Sequence, residues 1–430
     1  MIKIVCKTLV VICLWLPGLD SQAQNMPLSI TEAYKLARQN YPMVRQFDLI
    51  NKTKDYSVDN AAKGYLPQLV IQGQATYQSA VTEFKLPVAI PGAEFPTINK
   101  DQYKVYGEVT QAIYDGGNIR TQIRAQEATA IVESQKLEVE LYKLNERVNQ
   151  IFFGVLMIDE QVRQNELLKK DIQLGIRKVQ ALIDNGTAFK SNASALRAEL
   201  LKADQRTIEL QSNRKAYLNI LGILTGQSLS DSTVLEKPVP LAQTGEVARP
   251  ELKLYDFQNQ SLDIQSQLLD VRNRPKLNFF FQGGMGRPAL NILSNSFDPY
   301  YITGVRLNWS LSGLYTIKKD RALISNSREA IRLQKETFLY NTNLTLGQQD
   351  ADLERLGQLV ATDDDIIALR ENIKTTAVAQ LENGVINTND YLREVNAEDQ
   401  ARQSKILHEI QLLMAQYNRQ TTLGTTGSIN

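Results

Sequence analysis

The chain has 430 residues, with 48 basic and 47 acidic side chains, one histidine and two cysteines. That balance excludes a partner held by bulk charge, nucleic acid included. The length suits two or three ordinary domains, yet only 13 prolines occur and several windows of more than 30 residues contain none, which is the composition of very long helices.

Lys3 and Lys7 precede an apolar stretch from Leu9 to Leu16, Pro17-Gly18 breaks it, and Ser21-Gln22-Ala23 supplies small residues for cleavage. Residues 1–23 therefore read as a secretory signal, with Gln24 as the first mature residue. Cys6 and Cys13 both fall in that segment and neither stands at the cleavage point, so the mature chain is expected to carry no thiol, disulfide, lipid or cysteine metal site. Without Lys3, Lys7 and Asp20 the counts become 46 and 46, a net charge of zero. No mature segment approaches the roughly 18 consecutive apolar residues of a membrane helix; the best is Ile151 to Ile158. If the exported chain enters a bilayer, it does so as a β-barrel, because only helices and closed barrels satisfy their backbone in lipid.

Pro42 and Pro250 stand 208 apart, as do Pro67 and Pro275; the Asn185-Gly186 and Asn383-Gly384 pairs stand 198 apart, as do Gly226 and Gly424. This is one unit written twice, 24–237 and 238–430, with the change of offset in a loop: Ser79 to Lys100 in the first copy is longer than Gly286 to Pro299 in the second. Each copy reads helix, strand, loop, strand, very long helix, turn, long helix.

The first strand, Gln68 to Gln78, alternates Leu69, Ile71, Gly73, Ala75 and Tyr77 against Gln68, Gln72, Gln74 and Gln78. Its partner sets Tyr103, Val105, Gly107, Val109 and Ile113 against Lys104, Glu108 and Thr110. The second copy offers Leu277, Phe279, Phe281 and Met285 against Lys276, Asn278 and Gln282, then Tyr301, Val305, Leu307, Trp309 and Leu311 against Arg306, Asn308 and Ser310. Strands of about ten residues with one polar face have the length and dyad pattern of tilted outer-membrane strands. The expected lipid-facing residues are Leu69, Ile71, Tyr77, Val105, Val109, Phe279, Phe281, Val305, Leu307 and Trp309. Four strands cannot close a barrel, and their edges are intolerable in lipid. Of the even-numbered assemblies, 8 strands would be filled by their own side chains, so a trimer with 12 is the smallest that has a lumen.

Tyr114-Asp115-Gly116-Gly117 then turns the chain into a helix with no stop before Asn185-Gly186. Along it Leu137, Leu141, Leu144, Val148, Ile151, Val155, Ile158 and Val162 keep a 4-3 spacing, rejoined by Ile172, Ile176, Val179 and Ile183: a coiled-coil seam. At about 1.5 Å per residue the helix would reach roughly 100 Å, several times the hydrocarbon core, and so must stand outside the membrane. The returning helix repeats the spacing through Leu196, Leu200, Ala203, Thr207, Leu210, Arg214, Tyr217 and Leu221; the second copy has Leu339, Leu346, Leu353, Val360 and Ile367, then Ile406, Ile410, Leu413 and Tyr417. Two antiparallel hairpins result.

The order of these signals, duplicated, resembles the TolC-like outer-membrane efflux proteins along essentially the whole mature chain. It rests on Arg249-Pro250-Glu251-Leu252 and its counterpart Tyr41-Pro42, on Tyr65-Leu66-Pro67 and Arg274-Pro275 before strands, on Tyr114-Asp115-Gly116-Gly117 after one, and on the twin Asn-Gly turns. The resemblance implies a homotrimer in the outer membrane of a Gram-negative bacterium: a 12-stranded barrel continued by a helical tunnel through the periplasm. It implies a passive exit duct for an efflux or type I secretion system, meeting a periplasmic adaptor and an inner-membrane transporter. It also implies a closed tip in which a Tyr, an Arg and two Asp lock the helices. Asp390 matches the first Asp, but Leu381, Ile386 and Arg393 stand where the family has the Tyr, the Arg and the second Asp. The expectation is that Asp390 and Arg393, with Lys190 and Asn192 from the first copy, hold the mouth shut beside the turns Asn185-Gly186 and Asn383-Gly384; the alternative is that they are solvated turn residues.

Two other classes are weighed. An enzyme would need a constellation, and His408 stands alone; Asp363-Asp364-Asp365 read as hydrated helix, since consecutive side chains diverge by about 100°, and Gln282-Gly283-Gly284-Met285-Gly286 lacks the strand-to-helix setting of a phosphate loop. No metal and no cofactor is expected. A periplasmic coiled-coil adaptor or scaffold shares the leader and the hairpins, but not paired amphipathic strands before each of two hairpins.

Overall fold

The computed structural model describes residues 27–82, 98–241 and 245–425. The leader expected over 1–23 and most of the loop from Ser79 to Lys100 lie outside them. The first half runs α1 (Ile30–Asn40), α2 (Gln46–Ala62), β1 (Gln68–Tyr77), β2 (Asp101–Tyr114), α3 (Asn118–Tyr142), α4 (Leu144–Asp184) and α5 (Lys190–Thr225). The second runs α6 (Pro250–Arg272), β3 (Lys276–Arg287), β4 (Asp298–Asn308), α7 (Ile317–Glu382) and α8 (Thr388–Leu423). The fold is mixed and mostly helical, and no described helix is long and apolar enough to cross a membrane.

The strands make one antiparallel sheet in the order β1-β2-β3-β4. Its register aligns Ile71 with Gly107, Leu69 with Val109 and Phe281, and Phe279 with Val305. Opposed residues share a face, so Leu69, Ile71, Tyr77, Val105, Val109, Phe279, Phe281, Val305 and Leu307 all stand on one side. Most of them are exposed, Ile71 at 77%. The other side carries Gln68, Gln72, Gln74, Lys104, Glu108, Gln282 and Arg306, with Val70, Phe280 and Ile302 among them. Here Glu108 accepts from Gln282 and, at 2.8 Å, from Arg306, whose guanidinium lies 4.4 Å over the Phe280 ring. Gly284 is required by close approach: a Cβ there would sit 2.2 Å from the Val105 carbonyl oxygen.

Trp309, expected within the last strand, falls one residue beyond it, because β4 ends at Asn308, paired with Lys276. The next residue along β3 is Pro275, which has no N–H to offer, and the indole of Trp309 instead donates to the carbonyl of Asn273 at 3.0 Å.

The helices continue the sheet. Beneath it α2, α3, α6 and α7 lie side by side, in the order of the strands they join; at the far end the order is α5, α4, α8, α7. The result is one four-element wall. At mid-height α1 packs on α4 and α5, and Ile30, Ala33 and Ala37 join one apolar cluster with Phe152, Phe153 and Val155 of α4, Leu218 and Leu221 of α5, and Ile410 and Tyr417 of α8.

The long helix expected from Asn118 to Ile183 is interrupted at Lys143, dividing α3 from α4. The break falls where the chain changes neighbours, from α2 and α6 to α5 and α8. Tyr142 is pinned there, donating to the carbonyl of Thr421 at 2.8 Å under the Arg249 guanidinium. Above, Asp115 caps α3 by accepting from Gly117 at 2.9 Å and Ile119 at 2.6 Å, with Gly116 and Gly117 at φ 72° and 85°.

Candidate functional site

The wall ends in two turns. Gly186 and Gly384, at φ +75° and +70°, close the α4–α5 and α7–α8 hairpins in a conformation that favours glycine. Asn387 caps α8 by accepting from Asn389 at 2.9 Å and Asp390 at 3.0 Å. Phe189 and Val385 stand exposed on the turns.

Behind the turns the four helices share one apolar core: Ile172 and Val179 of α4, Ala193 and Leu196 of α5, Leu381 of α7, and Tyr391, Leu392 and Val395 of α8. Tyr391 is the largest of the fully buried side chains. It fits a notch at Gly175, where a Cβ would lie 2.7 Å from the ring, and donates to the carbonyl of Asp171 at 3.1 Å. Burial pushes its phenol up to about 12, so it stays protonated and donating at neutral pH.

Polar ties join the same hairpins. Lys374 of α7 reaches Asp171 of α4 at 3.0 Å and the buried Glu398 of α8 at 3.3 Å, and Arg402 pairs with Glu398 from the next turn. Lys178 of α4 pairs with Glu382 of α7. Gln164 of α4 donates to Asp399 at 2.9 Å, and Arg206 of α5 donates to Gln403 at 2.8 Å.

The residues expected at the mouth are only partly brought together. Asp390 and Arg393 meet at 3.6 Å, within one turn of α8; Arg393 also reaches Glu394 at 3.0 Å, and Glu394 meets Arg370 of α7 at 3.5 Å. All these contacts stay inside the second hairpin, beside a groove of about 520 Å³ lined by Ile373, Gln380 and Ile386. Lys190 opens α5 and forms no ion pair among the described residues, and Asn192 lies one turn inside the same helix. Of the side chains that do cross between hairpins, Asp171, Lys374 and Tyr391 were not singled out by sequence. A signal was present for Tyr391, which neighbours Asp390 and whose notch, Gly175, interrupts an otherwise good helix.

His408 and Asp363 also find their places. Asp363 is buried and meets the His408 ring at 2.6 Å, in contrast to the hydrated reading, while Asp364 turns to Lys405 and Asp365 is exposed. The three carboxylates diverge, and no group of three or more metal-ligating side chains occurs among the described residues.

Residues 33–227 match the family described as outer membrane efflux protein. That match covers a little under half of the chain. No curated protein matches it by sequence. Solved structures that share the fold include the channel CusC, at 12% identity, with 92% of each chain covered and a TM-score of 0.65. They also include the Campylobacter jejuni outer membrane channel CmeC, at 14% identity over 94% of this chain and 86% of that one, with a TM-score of 0.62. The open state of the Neisseria gonorrhoeae channel MtrE is similar at 12% identity over 93% and 89%, again at 0.62. All three of these solved structures are described as channels. The matched residues end at 227, just beyond α5, while the structural likeness to CusC covers 92% of the chain.

Proposed function

We propose that this protein is the outer-membrane duct of a tripartite efflux or type I secretion system, working as a homotrimer with a 12-stranded barrel. The sheet carries the reading: nine apolar residues stand on one face, largely open to the surroundings, and β1 and β4 are left unpaired at its margins. In water such a face and such edges invite aggregation. In lipid, closed against two further copies, both become assets. The helices then extend into the periplasm, where an adaptor and an inner-membrane transporter meet the turns at Asn185-Gly186 and Asn383-Gly384. A soluble adaptor would have no use for an exposed face ending in Tyr77 and Tyr301 at the loop side and Trp309 at the helical side.

The same reading takes 24–237 and 238–430 as tandem repeats. Supporting it, Pro67 and Pro275 each precede a strand, and Gly226 and Gly424 end α5 and α8 at φ +70° and +90°. It takes Asp390, Arg393, Lys190 and Asn192 as polar lining of the mouth, supported by their position within a turn or two of the hairpin tips.

The test is made on the mature protein in detergent and planar bilayers. A trimer that passes current is expected. Val305→Arg on the apolar face should abolish membrane assembly, since a charge near the bilayer centre costs about 2–4 kcal/mol per copy, while Gln72→Arg on the opposite face should assemble normally. A monomer that stays in solution without detergent and passes no current would refute the reading.

A further inference from the structure

The apolar face of the sheet has two margins, and they differ in charge. At the loop side the described residues 76–82, 98–102 and 286–299 carry two bases, Lys100 and Arg287, against two acids, Asp101 and Asp298. Arg287 pairs with Asp101, and Asp298 accepts from Ser294 and Ser296, which leaves that margin balanced. At the helical side the four junctions between strands and helices, residues 59–67, 115–121, 269–276 and 309–321, carry eight bases against four acids. In a chain of 48 bases and 47 acids that excess is local.

Three of the four acids are already engaged: Asp115 caps α3, Asp270 pairs with Arg321 at 2.8 Å, and Asp320 accepts from the Thr316 hydroxyl at 2.8 Å. Four of the bases, Arg120, Arg272, Lys318 and Lys319, are exposed and form no ion pair among the described residues. Just before the two lysines the chain exposes Leu311, Leu314 and Tyr315, the last at 86%, following Trp309 beyond the end of β4. The packing of one chain uses neither these apolar side chains nor the lysines. Exposed aromatic and aliphatic groups bordered by lysine are the pattern of a membrane–water boundary, where rings sit at headgroup level and long basic side chains carry their charge out to it.

Resting on the channel reading above, we infer that the β4–α7 junction is a docking surface for anionic phospholipid in the leaflet on the helical side: Leu311, Leu314 and Tyr315 lie against the acyl chains, and Lys318 and Lys319 hold the headgroup phosphate. Apolar contact alone suits any lipid. The choice comes from charge, because a zwitterionic headgroup brings its own cation to the unpaired lysines, whereas an anionic one leaves them matched. The balanced loop side makes no such choice.

The experiment holds the tails constant and changes the headgroup. The mature protein in a non-ionic detergent is unfolded by heat while dimyristoyl phosphatidylglycerol or, in parallel, dimyristoyl phosphatidylcholine is added. The anionic lipid is expected to raise Tm at least twice as far, and about 0.5 M NaCl to erase the difference by screening. In Lys318→Gln with Lys319→Gln the half-saturating amount of phosphatidylglycerol should rise about tenfold or more, each lysine near a charged surface being worth roughly fivefold; Lys100→Gln at the loop side should match wild type. Equal stabilisation by the two lipids, an unchanged titration in the double variant, or the same effect from inorganic phosphate overturns the inference. Should the double variant fail to fold, Lys318→Gln alone makes the same comparison, with about a fivefold rise expected. A protein that keeps the lipid preference but passes no current in planar bilayers counts against the channel reading alone.

Discussion

The long helices of the two hairpins, α4 and α7, carry the same kind of heptad seam and yet live in different surroundings. In α4 the seam is buried against α5 and, on a second side, Phe152, Phe153 and Gly175 are buried against α1 and α8. In α7 Leu353 and Leu356 are buried, but the opposite side stays open although it carries Leu333 and Tyr340 seven apart and Ile366 and Ile373 seven apart. The difference is one of position in the wall: α4 has a neighbour on each side and α7, at the margin, on one side at its far end. A seam in sequence fixes one contact. Whether a second apolar stripe is core or interface depends on what stands next to it.

The comparison is broken most directly by truncating one residue on each helix. Phe152→Ala empties a site of zero exposure and should cost about 3–5 kcal/mol in urea or thermal unfolding of the unassembled protein. Leu369→Ala, at a site 64% exposed, should stay within about 0.5 kcal/mol in the same assay and instead weaken the proposed trimer, read as a shift toward monomer on dilution in detergent. Equal losses of monomer stability would show that α7 is already covered within one chain.

A finer cut separates contacts within a hairpin from those between hairpins, because α4 has a notch for each. At Gly154 a Cβ would lie 2.4 Å from the Tyr217 ring of α5; at Gly175 it would lie 2.7 Å from Tyr391 of α8. Either alanine forces a packed ring aside, the partly buried Tyr217 or the buried Tyr391, at about 1–3 kcal/mol. Gly154→Ala should loosen the first hairpin alone. Gly175→Ala should leave that hairpin intact but raise hydrogen exchange in α8 around Tyr391, and no change there would remove the notch from its role.

Much of this was legible beforehand. Period-two alternation found all four strands, because a sheet with one apolar face leaves its pattern in every second residue. The 4-3 spacing found the helices, and the Asn-Gly pairs found both turns. The strand end at Asn308 was not visible, since it depends on Pro275 in the partner strand. Nor was the break at Lys143, which follows from a change of packing partner with no local breaker residue. The tip ties were hidden for a related reason: Asp171, Lys374 and Glu398 lie on three helices and are joined by topology, not by spacing.

Arg214 shows how such a residue can be found late. It interrupts the α5 seam, and the structure shows why: it pairs with Asp159 at 2.5 Å and donates to the carbonyls of Asp231 and Thr233 at 2.7 Å each, fastening the link between the two halves. Arg214→Ala should cost about 1.5–3 kcal/mol, the range for hydrogen bonds to a charged group, and should speed proteolysis between residues 227 and 249. A protease map unchanged from wild type would mean that Leu235 packing and the backbone hydrogen bonds between Leu28 and Val234 and Glu236 hold the link without Arg214.

The smallest effect expected tests the α4–α8 boundary through pH. Burial against α4 pushes the Asp399 carboxyl above its ordinary value, outweighing the opposing bond from Gln164 and the attraction of Arg206. A carboxyl raised in the folded state keeps its proton where the unfolded chain has already lost one, so its contribution to stability is greatest near pH 4 and declines as pH rises through the raised value. Asp399→Asn removes that titration while keeping the shape and a donor-acceptor group toward Gln164 and Gln403. The Tm difference between variant and wild type should therefore move in favour of the variant as pH rises from about 4 to 7. A constant gap would mean that water reaches Asp399 and that the boundary between the hairpins is wetter than its packing indicates.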